Sequence, residues 1–242
     1  MSDKHFYLTT AIDYINGAPH LGHAYEKIGA DALVRYKRLT GYDTWFVVGS
    51  DEHSLNILAK AESLGRDPKD FCDDMAKVFQ DAFAKLNISY SIYARTSSQA
   101  NVKTAQHFIQ KCYDNGYIYQ GVYHGWYCSS CNRFYKQDEL LEGNLCPEHK
   151  RPIDEVDEPN YFFKLSAFQD RLLEHFDKHP EFIRPESRFN EMLNVVKGGL
   201  DDFSVSRSTV KWGVPVPFDP SQVIYVWFDA LLDYVSGVGF AD

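Results

Sequence analysis

Apolar positions along this chain follow two periods in turn. Phe6 to Ile12 reads as a short buried strand, and Thr44-Trp45-Phe46-Val47-Val48 as a second. Between them, after a turn-rich stretch from Asp13 to Pro19, helical spacing links Leu21, Ala24, Ile28, Ala32 and Leu39 and stops at Gly41. Leu55, Leu58, Ala61 and Leu64 mark one face of the next helix, closed by Gly65. Asp67-Pro68 starts another, as an N-cap followed by a first-turn proline, with Phe71, Met75, Phe79, Ala82 and Leu86 as its stripe. Tyr90 to Ala94 reads as a third strand. Ser97 or Ser98 then caps a helix with Val102, Ala105, Ile109 and Cys112 inward, ending at Asn115-Gly116. Strands alternating with helices predict an α/β unit with a parallel sheet.

The texture changes after Gly116. Aromatics, glycines and cysteines cluster from Tyr117 to Cys146. Ser166 with Gln169 has the capping-box pattern of a helix start, and a further helix runs from near Pro185 to Gly198-Gly199. Pro215, Pro217 and Pro220 predict a loop. Val223 to Trp227 predicts a strand leading into a helix over Phe228 to Val235. The expected organisation is a first sheet half over 1–115, an insertion over 116–221 and a return to the sheet over 222–242. A doubly wound sheet would continue past Asp242, so the chain reads as a fragment, natural or designed.

Composition narrows the function classes. The 242 residues are 44% hydrophobic and 24% charged, enough apolar material for a sizeable core. A net charge of −9 argues against a bulk-basic nucleic-acid binder. The amino terminus has no secretory pattern and no apolar run reaches membrane-spanning length. Two of the five cysteines sit as Cys128-Ser129-Ser130-Cys131, a spacing that suggests metal binding in a reducing, cytoplasmic setting.

His20-Leu21-Gly22-His23 lies where a strand hands over to a helix. A helix amino terminus carries free N–H groups and partial positive charge and so attracts phosphate. Imidazoles there can donate to phosphate oxygens, and Gly22, without a Cβ, lets a nucleoside approach the backbone. Two other readings stay open on these residues alone. The histidines could simply cap the helix, or His20, His23, Asp51 and His53 could ligate a divalent ion for hydrolysis. Cys146-Pro147-Glu148-His149 follows Cys131 after fourteen residues. Together Cys128, Cys131, Cys146 and His149 can close a tetrahedron around one structural zinc, in a knuckle over about 126–152. Cys72 and Cys112 read as packing residues.

Thr9 to Ala24, with its Tyr14-x-Asn16-Gly17-x-x-His20 wording, resembles the first signature of class I aminoacyl-tRNA synthetases, and of the methionyl family in particular. Gly49-Ser50-Asp51-Glu52-His53, the knuckle, Pro159 to Leu165, Arg188 to Glu191, Asp202 to Arg207, Trp212 to Pro217 and Val223 to Tyr234 resemble further segments of that family in the same order. Leu21 replaces an isoleucine, and Asp13 stands where many relatives carry tyrosine or proline. The resemblance implies a class I Rossmann-like sheet interrupted by a connective insertion with a zinc knuckle. It implies ATP with magnesium at His20, Gly22 and His23, and a methionine pocket of Ala11, Ile12, Tyr14, Asp51, Trp227, Ala230 and Tyr234. Asp51 would meet the substrate ammonium, and Arg207 is a candidate for nucleotide or tRNA-end contact, or an ordinary surface arginine.

The implied chemistry is activation of L-methionine to methionyl-adenylate and transfer to tRNA(Met). The family's Lys-Met-Ser-Lys-Ser loop and anticodon domain have no counterpart here, so little activity is expected of this chain alone. Isoleucyl, valyl and leucyl enzymes carry a larger insertion, and cysteinyl enzymes a zinc-ligating cysteine beside the first signature. A metallohydrolase and a non-catalytic methionine-binding module are the alternatives; monomer and homodimer are both open.

Overall fold

The computed structural model describes residues 4–128, 130–131 and 133–240, with Arg133 and Phe134 as backbone only. The first half is a parallel three-stranded sheet in the order β1-β2-β3, formed by β1 (His5–Tyr14), β2 (Asp43–Asp51) and β3 (Ile92–Arg95). Helices α1 (Leu21–Leu39), α2 (Leu55–Ser63), α3 (Pro68–Lys85) and α4 (Gln99–Asp114) connect and follow the strands. Alternation along the sequence thus produced the expected parallel sheet. Asp67 caps α3 through Lys69 and Asp70 N–H groups with Pro68 in its first turn, and Ser98 caps α4.

The core of this half joins Ile15, Val34, Phe46, Val48, Ile57, Phe71, Phe79 and Phe83. Each such side chain contributes about 1.5–3 kcal/mol by leaving water. The face of α1 is the main departure from expectation. Its apolar stripe points outward: Leu21 is 84% exposed and Leu39 87%, whereas Lys27, Asp31 and Val34 are buried. Periodicity tells which residues share a face. It does not tell which face is covered, and here the buried charges are satisfied inside. Asp31 accepts from Ser89 and Arg35, which holds its carboxyl below the usual range although burial works against this.

The insertion is built on a long antiparallel pair, β4 (Ile118–Cys128) with β6 (Asp154–Phe163), extended by β5 (Arg133–Tyr135) and β7 (Phe203–Ser204) in the order β5-β4-β6-β7. Helices α5 (Gln169–Lys178) and α6 (Glu186–Lys197) follow. The expected capping box at Ser166 does not form. Ser166 spends its N–H and hydroxyl on Asp202, and Gln169 accepts from the Leu200 N–H. A short 3-10 turn over Leu165–Phe168 precedes α5 instead.

The proline-rich stretch is not a plain loop. Pro215 and Pro220 lie in β9 (Pro215–Val216) and β10 (Asp219–Ile224), which with β8 (Ser206–Arg207) make an antiparallel sheet in the order β8-β10-β9. The expected strand to Trp227 ends at Ile224, because Tyr225 already caps α7 (Val226–Ala230), followed by α8 (Asp233–Ser236). A second core links the halves, with Ala105 and Ile109 of α4 against Ile118, Val205, Ile224, Phe228 and Leu232. Trp212 Nε1 also donates to the Glu52 carbonyl at 2.6 Å, pinning the insertion to the end of β2. No helix among the described residues is long and apolar enough to cross a membrane.

Candidate functional site

The carboxyl ends of β1 and β2 lie side by side, with Tyr14 paired to Asp51. Open α/β sheets bind ligands just beyond such ends. From β1 the chain turns into α1 with His20 at the N-cap. The two imidazoles stack, with ring centroids 3.9 Å apart. His20 Nδ1 accepts from the Gly22 N–H at 3.1 Å, and His23 Nδ1 accepts from the His20 N–H at 3.1 Å. With both Nδ1 atoms acting as acceptors, each neutral ring carries its proton on Nε2. Two N–H donors therefore stand at the positive end of a helix, suited to an anion. A Cβ at Gly22 would come within 3.0 Å of the His20 ring, so the glycine also keeps that imidazole in place. His23 is lowered below the usual imidazole range, first by burial.

Beside this lies a buried acidic group. Asp51, 4% exposed, is raised to about 8 by burial and then by Asp229. Tyr14, the strand partner of Asp51, has its own ionisation driven up by burial and by that carboxyl. His53 Nδ1 and Asp229 Oδ2 are 2.6 Å apart. Burial alone would lower His53, but Asp229 outweighs it and raises the imidazole. Asp233 is raised to about 7 by burial, and Asp229 Oδ1 and Asp233 Oδ2 have no hydrogen-bond partner among the described residues. Tyr234 lies beside the Ile12 backbone, and its carbonyl accepts from the Tyr7 hydroxyl.

Gly49 makes this convergence possible. A Cβ there would lie 2.6 Å from the Ala94 carbonyl, 2.9 Å from Asp233 Oδ2 and 3.1 Å from Ile12. Of the residues named from sequence, Ile12, Tyr14, Asp51 and Tyr234 thus come together. Ala11 adjoins them on β1. Ala230 is buried and Trp227 half exposed on α7, the helix that also carries Asp229. Asp229 and Asp233 were not singled out in the sequence as site residues. Their signal was two acids on apolar helix faces, spaced i and i+4.

Arg207 is no surface arginine. It is 5% exposed, bonds Glu158 at 2.9 Å and lies 4.1 Å from the centre of the Tyr127 ring. The hydrolase set is not assembled. His53 is committed to Asp229, and both Nδ1 atoms of His20 and His23 to backbone N–H groups. The only group of three or more metal-ligating side chains among the described residues is elsewhere.

That group is Cys128, Cys131, Cys146 and His149, whose ligand atoms all lie within 4.8 Å of one another. Cys146 Sγ is 3.6 Å from Cys131 Sγ and 3.8 Å from His149 Nδ1. A four-coordinate ion with sulfur and nitrogen ligands sets ligand separations of about 3.6–3.8 Å, so the cluster fits one. Burial works against ionising Cys146, yet the His149 backbone and ring lower it to about 6, while burial pushes Cys131 up to about 12. Tyr135, 2% exposed, places its hydroxyl 3.2 Å from Cys131 Sγ and donates to Glu148 at 3.1 Å. Asn56 of α2 donates to the Ser130 carbonyl, tying the knuckle to the first half.

A family model described as class I tRNA synthetases (M) matches residues 6–158 and 150–241. Methionine–tRNA ligase of Thermotoga maritima is 47% identical over 238 residues, spanning 97% of this chain and 38% of its own length. That of Thermosynechococcus vestitus is 47% identical over 235 residues, spanning 97% of this chain and 44% of its own. Mycobacterium tuberculosis methionyl-tRNA synthetase in complex with methionyl-adenylate superposes with a TM-score of 0.94 at 42% identity, over 99% of this chain and 48% of that one. The apo form of that enzyme gives 0.82 at 40% identity. This chain therefore spans less than half the length of these relatives. With its signature imidazoles, buried aspartate and cysteine–histidine cluster in the arrangement described above, the chain belongs to the class I tRNA synthetases of the methionyl type.

Proposed function

We propose that this chain is the part of a methionine–tRNA ligase that binds L-methionine and ATP and joins them as methionyl-adenylate, for transfer to tRNA(Met) in the cytoplasm. In this reading residues 1–115 and 222–242 belong to the adenylating sheet and 116–221 to the connective insertion. The observation that carries it is the buried Asp51 carboxyl, beside Tyr14 at the strand ends from which α1 and its paired imidazoles depart.

Asp51 receives the methionine ammonium, a charge-assisted bond in a site that excludes water. Ala11, Ile12, Tyr14, Trp227, Ala230 and Tyr234 surround the thioether, whose sulfur gains from aromatic contact. His20 and His23 donate Nε2–H to ATP phosphates beside Gly22, with magnesium accompanying the nucleotide. The methionine carboxylate oxygen forms a bond to the α-phosphorus as the bond to pyrophosphate breaks. No protein nucleophile takes part; positioning and charge stabilisation supply the rate. Cys128, Cys131, Cys146 and His149 hold one zinc, which when bound supplies the fold of the knuckle and no chemistry.

Methionine-dependent exchange of pyrophosphate into ATP by the whole gene product tests this reading. Exchange that depends on methionine and disappears in Asp51→Ala supports it; exchange driven equally by another amino acid refutes it. The isolated 242-residue chain is expected to show little exchange, since its sequence contains no Lys-Met-Ser-Lys-Ser stretch.

A further inference from the structure

Directly beneath the site is a fully buried ammonium with no assigned part in ligand binding. Lys27 Nζ, on the inner face of α1, donates to Asp13 Oδ1 at 2.8 Å, to Glu26 Oε2 at 2.8 Å and to the Ala11 carbonyl at 3.0 Å. The other Glu26 oxygen accepts from the Ala11 N–H at 2.8 Å. Two consecutive helix residues thus hold both polar groups of one strand residue. The pairing of β1 with β2 breaks at that place, its register shifting between Thr9 and Ile12. An irregularity in a ladder leaves backbone groups to be satisfied from elsewhere.

We infer that Glu26 and Lys27 are positioning residues that clamp Ala11 so that β1 presents Ala11 and Ile12 to the substrate in fixed register with α1 and its imidazoles. Asp13 is the counter-charge that makes burial of Lys27 tolerable. Asp13 is also the signature residue that departs from the family's common wording, and the clamp gives it a role. The inference rests on the proposed function for its substrate, but the clamp itself is a property of the free protein.

Packing alone does not ask for this arrangement. An apolar residue at position 27 would fill the space beside Phe83, whose ring centre lies 5.9 Å from Lys27 Nζ. A buried ion pair is commonly replaceable by apolar residues of like volume without loss of stability. What such a replacement cannot supply is the donor to the Ala11 carbonyl. Asp13 Oδ1 is also 3.9 Å from His23 Nε2, so the cluster lies between the pocket strand and the imidazole.

The test separates affinity from stability in the full-length protein. The probe is the non-hydrolysable sulfamoyl analogue of methionyl-adenylate, titrated calorimetrically, alongside thermal melts. Asp13→Leu with Lys27→Met is expected to keep the melting temperature while weakening the analogue roughly tenfold or more, the worth of a charged hydrogen bond. Asp13→Asn is expected to do the reverse, lowering the melt while binding stays within about twofold, because Lys27 keeps its bond to Ala11. Affinity that merely follows stability across the two variants would overturn the inference. A readout without ligand guards against failure of the functional reading. The Ala11 amide is expected to exchange with solvent about tenfold faster in Glu26→Ala than in the wild type. Unchanged exchange defeats the clamp, whereas accelerated exchange with no analogue binding by the wild type defeats the functional reading alone.

Discussion

The knuckle and the strand-end site are both polar clusters, but they are held by different means. Around Cys128, Cys131, Cys146 and His149 the packed apolar surroundings are small, little beyond Tyr135, Ile153, Trp126 and Leu140. Around Asp51 the polar groups stand on a sheet backed by Phe46, Phe79 and Phe83 and are tied to one another through His53, whose N–H donates to Asp51 and whose ring meets Asp229. On the proposed reading the first region would draw its shape from the ion its four ligands fit, whereas the second draws its shape from packing that precedes any ligand. A polar site without a core behind it depends on what it binds.

The largest expected effect separates the two regions directly. Cys146→Ser, or a strong chelator, should remove the metal and with it a binding free energy of about 10–16 kcal/mol for a structural zinc. Trypsin should then cut after the exposed Lys150 while the main melting transition stays within a few degrees. If the whole chain unfolds instead, the regions are not separable. Next comes Phe79→Ala, which empties a fully buried position that also packs edge-on to His23 at 5.2 Å. It should cost about 3–5 kcal/mol in urea unfolding and leave zinc content unchanged by metal analysis.

Asp229→Ala leaves a buried His53 nitrogen without its partner and should cost about 1–3 kcal/mol. Asp229→Asn, which keeps an acceptor, should recover part of that in the same unfolding assay. The smallest effect is a count of protons. Asp51 is raised to about 8, so at pH 7 it is largely protonated in the free protein. An arriving ammonium favours the ionised form, so methionine binding should release up to about one proton at pH 7. Calorimetry in buffers of differing ionisation enthalpy measures this, and Asp51→Asn should abolish it.

The same shift sets a stability trend. A carboxyl raised in the folded state favours folding fully below its unfolded value near 3.8, and that contribution is lost as pH rises toward 8. Asp51→Asn should flatten stability against pH across that window.

Strand and helix order over the first half, the cap at Asp67 and the spacing within the Cys128–Cys131 and Cys146–His149 pairs were legible in the sequence because each depends on neighbours within a few residues, whereas the strands from β4 to β9 were not read from it. The covered face of α1 was not. Leu21 and Ile28 share a stripe, but the inner positions went to Lys27 and Asp31, whose partners Asp13 and Ser89 lie on other segments. Ser166 failed as a cap for a similar reason, because Asp202 claims its hydroxyl from another part of the chain. Of the candidate site residues, His20, Gly22 and His23 were readable from wording that runs along β1 and the turn after it, and Asp51 from a second short segment at the end of β2. Asp229 and Asp233 became part of it only through the approach of α7 and α8 to β2, which no local pattern encodes.

The crowding at Gly49 bears on how this protein can change over generations. Every single-base substitution that replaces a glycine by another amino acid adds a side-chain carbon, and here that carbon would collide with the main chain of the next strand. A lineage carrying Asp233 therefore has no one-step amino-acid replacement at position 49 that leaves the sheet's centre undisturbed. Drift there is blocked from the start, and any escape would need the neighbouring strand and the acid to move first.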